Sequence, residues 1–242
     1  MRIIGVIDLK DGEAVHARGG RRDEYAAVSE AAGTVIHGDA VKLAGVYLES
    51  FGLTDVYVAD LDAIASTEPN DDVVRSICNR GGNVFVDGGV ATLEQAHRVA
   101  AAGAHEVIVG LETLESFDTL RDICSRYPVT FSLDLRNGVP MCCATLRNLS
   151  PEDLAREAVA AGAKAIIVLD VARVGTDAGP DLRMLIRIRP VVRECALLAG
   201  GGVRGLDDLK QLVDIGCDGA LMASVLLDGR LTAEDLRTAR DL

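Results

Sequence analysis

Asp8, Asp60, Asp134 and Asp170 each close a short apolar run, 3–8, 55–60, 129–134 and 164–170. Carboxylates gathered at one mouth repel one another. Repulsion and burial together raise the pKa of some of them, which leaves a general acid beside a general base. Such a pair moves protons between neighbouring atoms of a small substrate. A lone aspartate at a strand end is ordinarily a turn or cap residue. Recurrence is what favours chemistry here. Asp8-Leu9-Lys10-Asp11-Gly12 matches Asp134-Leu135-Arg136-Asn137-Gly138 at an offset of 126, and Val58-Ala59-Asp60 matches Val168-Leu169-Asp170 at an offset of 110.

Glycine supplies the second signal. Asp87-Gly88-Gly89-Val90 and Gly200-Gly201-Gly202-Val203 each run from an apolar stretch into a helical pattern, 113 residues apart. Glycine lets the backbone approach a ligand and aim its N–H groups at it. Gly200, Gly201 and Gly202, with Ala223 and Ser224 at the next strand end, are the expected phosphate site. Gly88 and Gly89 form its first-half copy, which stays open as a site. Asp87 replaces the first glycine there, Leu111 stands where Ser224 stands in the second half, and both oppose a phosphate. A G-x-x-x-x-G-K-[ST] loop and a G-x-G-x-x-G fingerprint are both missing, which disfavours nucleotides. Gly175-Thr176 either orients substrate or forms a loop turn. His16 and Arg18 follow the first strand and are expected to face the mouth, with Asp60 and Gly175 as further substrate contacts. His97 and His105 read as surface groups. Residues 19–24 read as a solvated loop that serves as a lid.

These residues need elements to hold them. Strands are predicted near 3–8, 55–60, 83–87, 106–110, 129–134, 164–170, 195–199 and 218–222. Most are continuous apolar runs, as expected of strands buried on both faces. Helical patterns lie near 39–51, 70–80, 91–102, 114–126, 150–161, 180–191, 205–215 and 231–240, with starts at Asp39, Ser150-Pro151 and Thr232 and stops at Gly52, Gly103, Gly162 and Gly216. Eight β-then-α units predict an α/β fold, a (βα)8 TIM barrel. An open doubly wound sheet is the competitor, and the repeat favours closure. One domain over 1–242 follows, built from half-barrels of about 1–125 and 126–242.

Composition bounds the function. The 242 residues carry 25 Lys and Arg against 37 Asp and Glu, a net charge of −12. That excludes general binding to nucleic acid or to an anionic membrane, which need a basic face. It does not exclude a small anionic substrate, because backbone amides bind phosphate without net positive charge. No run reaches the length of a membrane span, and the N-terminus lacks a signal-peptide layout, so a cytoplasmic protein is expected. Six scattered cysteines without C-x-x-C spacing predict reduced structural thiols and no metal.

Taken together, Ile7-Asp8-Leu9-Lys10-Asp11-Gly12, Asp60-Leu61-Asp62, Leu133-Asp134-Leu135, Asp170 with Gly175-Thr176 and Ala178-Gly179-Pro180, and Gly200-Gly201-Gly202-Val203 carry a resemblance. The chain resembles the phosphoribosylformimino-aminoimidazole carboxamide ribotide isomerases of histidine biosynthesis. It is more distantly similar to the cyclase subunit of imidazole glycerol phosphate synthase. The resemblance spans essentially the whole chain. It implies a (βα)8 barrel of two duplicated halves and an Amadori rearrangement of an aminoaldose phosphate to an aminoketose phosphate. It also implies Asp8 as general base, Asp170 as general acid, and no cofactor. The implied partner is a small phosphorylated substrate, and a homo-oligomer is left open.

The departures from that family are specific. His16 stands where the family has Arg, with Arg18 nearby. The first phosphate motif lacks its Arg and reads Asp87-Gly88-Gly89-Val90-Ala91. Gly110-Leu111 replaces Gly-Ser or Gly-Thr. The loop 141–146 lacks the covering Trp, and the sequence holds no Trp at all. Two alternatives stay open. One is a diverged paralogue acting on a singly phosphorylated substrate in another pathway, such as C1-carrier cofactor biosynthesis. The other is a catalytically silent barrel or a cyclase-type subunit that acts through a partner.

Overall fold

The computed structural model describes residues 1–240. Eight parallel strands, β1 (Arg2–Lys10), β2 (Asp55–Asp60), β3 (Asn83–Asp87), β4 (Glu106–Gly110), β5 (Val129–Arg136), β6 (Ala165–Asp170), β7 (Ala196–Gly200) and β8 (Gly219–Met222), pair in sequence order. β8 returns to β1 with Arg2 opposite Gly219 and Gly5 opposite Met222, so the sheet closes into a barrel. The open-sheet competitor is thereby excluded.

The runs are apolar throughout because both faces are buried, and alternation sorts their side chains into two layers. Ile4, Tyr57, Phe85, Ile108, Ile167, Leu198 and Leu221 fill the interior. Ile3, Ile7, Val56, Val58, Val84, Val86, Phe131, Leu133, Ile166 and Val168 face outward against the helices. That parity decides what each strand-end aspartate can do.

The helices follow the sequence reading closely. Asp39, Thr92, Ser116, Ser150 and Asp181 cap helix starts by accepting a main-chain N–H three residues on. Gly162 and Gly216 end helices in the left-handed conformation, at φ 108° and 86°. Three details differ. The pattern 39–51 divides into a helix at Ala40–Gly45 and a wider π turn at Val46–Ser50. Short helices, Leu61–Ile64 and Ser224–Leu227, precede the main ones after β2 and β8. β1 and β5 also run past the barrel into hairpins. Asp11-Gly12 and Asn137-Gly138 turn them with both residues at positive φ, the two-residue turn that suits twisted antiparallel strands.

Candidate active site

The C-terminal strand ends surround a cavity of about 1120 Å³, its open mouth included. Asp8, Asp87 and Asp134 line it, each on the inward parity of its strand. Burial lifts the Asp8 carboxyl to about 7, and the Arg22 guanidinium holds it back. Burial likewise lifts Asp134 to about 7, helped by the charge of Asp87. The Ser132 hydroxyl donates to Asp134 Oδ1 at 2.6 Å and the Glu112 N–H to Oδ2 at 3.2 Å, which limits the rise. Asp87 reaches about 6, raised by burial and restrained by the Gly89 N–H at 3.2 Å and the Tyr57 hydroxyl at 3.3 Å. A Cβ on Gly110 would meet Asp134 Oδ2 at 2.9 Å and Asp87 Oδ2 at 3.5 Å, so a side chain there would force the two carboxylates apart.

The other strand-end aspartates have a different place. Asp60 and Asp170 share the outward parity of Val56 and Val58, and of Ile166 and Val168. They are 1% and 2% exposed and do not line the cavity. Asp60 accepts from the Ala63 N–H at 3.2 Å, and from the Asn70 N–H and Nδ2, both at 2.8 Å. Asp170 accepts three main-chain N–H groups, Asn137, Gly138 and Ala172, each at 3.0 Å. Their oxygens are occupied in fixing turns. The expected substrate contact at Asp60 and acid role at Asp170 are corrected accordingly.

The glycine sites also divide. Gly201, Gly202, Ala223 and Ser224 line the cavity, together with Gly175. Among the described residues, the N–H groups of Gly202 and Val203 have no internal acceptor. His16 Nε2 and Ser224 Oγ lie 2.8 Å apart, so His16 does reach this end, and burial holds its pKa down. Gly200 sits lower in β7, under Leu169, and does not line the cavity. Gly88 and Gly89 are buried beneath the floor. A Cβ on Gly89 would lie 2.4 Å from the Ala63 carbonyl, and neither glycine lines the cavity. Leu111 is fully buried and does not line the cavity. Arg18 is exposed, and the Thr176 hydroxyl donates to the Arg173 carbonyl at 2.9 Å, the loop-turn arrangement.

Several cavity residues were not read from the sequence as site residues. Tyr57 and Asp87 carry a signal, the inward parity of β2 and β3. Arg22 has none. The loop carrying it crosses the mouth, and its guanidinium grips Glu112 at 2.7 and 3.3 Å. Lys10 Nζ donates to the Arg22 carbonyl at 3.0 Å and pins the loop. Arg136 and Tyr25 complete the rim.

A family model described as "Histidine biosynthesis protein" matches residues 2–232. The chain belongs to that histidine biosynthesis family. A 1-(5-phosphoribosyl)-5-((5-phosphoribosylamino)methylideneamino)imidazole-4-carboxamide isomerase of Synechococcus sp. (strain CC9311) is 32% identical over 240 residues, covering 96% of this chain and 90% of the relative. The isomerase of the same name from Thioalkalivibrio sulfidiphilus is 30% identical over 252 residues, covering 100% of this chain and 99% of the relative. An uncharacterized protein of Methanocaldococcus jannaschii is 30% identical over 240 residues, covering 98% and 97%. Family membership agrees with the barrel.

Proposed function

We propose that this family member is an aldose–ketose isomerase that performs an Amadori rearrangement on a phosphorylated ribosyl-type substrate. The observation that carries the reading is the pair of inward carboxyls, Asp8 and Asp134, held near pH 7 on opposite sides of one cavity. Their surroundings assign the roles. Asp8 has the Arg22 cation near it and is the group that ionises, hence the base. Asp134 has the like charges of Asp87 and Glu112 near it and keeps its proton, hence the acid. The acid protonates the ring oxygen of the aminoaldose and the ring opens to an iminium. The base then takes the C2 proton, giving an enolamine that becomes the aminoketose when a proton returns to C1. Gly202, Val203, Ser224 and His16 supply the donors for the substrate phosphate.

Purified protein incubated with an aminoaldose that carries one phosphate, and in parallel with the bis-phosphoribosyl substrate named for the relatives, tests this. Turnover that falls by about 10²–10⁴ in Asp8→Asn and Asp134→Asn supports it. Turnover that survives both substitutions removes the acid–base pair. A second reading, a singly phosphorylated substrate, is favoured by the first-half end. Gly88 and Gly89 are buried there and Asp87 enters the cavity in place of a phosphate.

A further inference from the structure

The cavity has two unlike ends. At one, His16, Ser224 and the free N–H groups of Gly202 and Val203 present donors. At the other stand Asp87, Glu112 and Asp134, with the Tyr57 hydroxyl among them. Glu112 is paired with Arg22, but the two buried aspartates are not neutralised from within. Among the described residues neither Asp87 nor Asp134 has an arginine or lysine at ion-pair distance. The Arg22 charge reaches Asp87, but both arms of its guanidinium are taken up by Glu112. A phosphate at this end would meet buried carboxylates, the Gly89 amide is already held by Asp87, and Arg136 stands exposed at the rim. Desolvated carboxylates without a cation are costly, and a ligand that brings one recovers that cost.

We propose that Asp87, at the end of the cavity it shares with Glu112 and the proton-holding Asp134, receives a cationic amino group of the substrate. The substrate then carries one phosphate, at the Ser224 end, and an amine at the other. This rests on the isomerase reading above and specifies the substrate class for the same cavity. Asp87 is the specificity-determining residue. It makes an ammonium welcome and a second phosphate unwelcome, by the same charge.

Three probes of equal length separate the possibilities: aminopentyl phosphate, hydroxypentyl phosphate and pentyl bisphosphate. Their binding to the full-length protein is measured by calorimetry at neutral pH. The amino probe is expected to bind roughly tenfold more tightly than the hydroxyl probe, and the bisphosphate no better than the hydroxyl probe. Asp87→Asn should remove most of the amine preference. Should that variant fail to fold, Glu112→Gln is the second test. It frees Arg22 at the rim, so the preference should shrink and bisphosphate binding should improve. Equal binding of amino and hydroxyl probes overturns the amine end while leaving phosphate recognition in place. Tight bisphosphate binding that is lost in Arg22→Ala also overturns it, by making this end a second phosphate site. Failure of every phosphorylated probe to bind removes the phosphate anchor as well, and with it the isomerase reading.

Discussion

At the scale of single residues, the account turns on which way a carboxylate faces. Asp8, Asp87 and Asp134 face inward and are raised toward neutrality by burial, whereas Asp60 and Asp170 face outward and cap turns. The apolar runs already located all of these strand ends. What the repeat alone did not separate was the two parities. Counting by twos from Ile4 to Asp8, or from Phe85 to Asp87, separates them. The raised carboxyls have a consequence for stability. Between about pH 4 and 7 the folded protein holds protons that the unfolded chain has released, so stability falls as pH rises through that window and levels off above it. Asp8→Asn removes one such group. It is expected to melt roughly 5 °C above wild type at pH 8 and level with it at pH 4. A variant that melts lower at pH 8 would show that the Asp8 carboxylate stabilises the fold. In turnover, a base and an acid that both titrate near 7 give a narrow bell-shaped pH profile centred there.

At the scale of elements, the strands, helices and caps were legible because each follows from local chemistry: apolar runs, acceptor side chains at helix starts, glycine at helix ends. The hairpins beyond β1 and β5 were visible as Asp-Gly and Asn-Gly repeats, but their partners were not. The Asn137-Gly138 turn is held by Asp170, more than thirty residues away in sequence. The lid segment was read from the sequence, but the pairing of its Arg22 was not, since Glu112 lies 90 residues on. A turn fixed by a buried carboxylate is a stability device. Asp170→Ala is therefore expected to cost about 1–3 kcal/mol in denaturant unfolding while leaving kcat within about tenfold. A loss of kcat equal to that of Asp8→Asn, with unchanged stability, would return Asp170 to the chemistry.

At the scale of the molecule, the barrel depends on its closing seam. β8 pairs with β1, the Arg2 N–H donates to the Asp218 carbonyl at 2.9 Å, and the last helix, Ala233–Arg240, packs fully buried Leu236 against the core. The terminal amine of Met1 donates to the carbonyls of Ala239 and Arg240 in that helix. The first residue and the last described helix thus meet at the seam that aligns Asp8 with the other strand ends. Leu236→Ala is expected to cost about 2–5 kcal/mol in denaturant unfolding, through the cavity it leaves. A cost below about 1 kcal/mol would mean that the seam holds without the helix. Eightfold alternation made closure the favoured topology in the sequence. The unlike charge of the two cavity ends was legible only at Asp87, because Glu112 and Asp134 join it only when several strand ends meet.

The proposed chemistry needs two carboxyls at the barrel mouth poised for proton transfer. It is tested most directly by following the aspartate side-chain carbons by carbon-13 NMR from pH 3 to 9, with Asp8→Asn and Asp134→Asn assigning the two signals. The account predicts that both titrate near pH 7, in coupled fashion, with Asp87 near 6. Titration of Asp8 and Asp134 near 4, as for ordinary exposed aspartates, would contradict it.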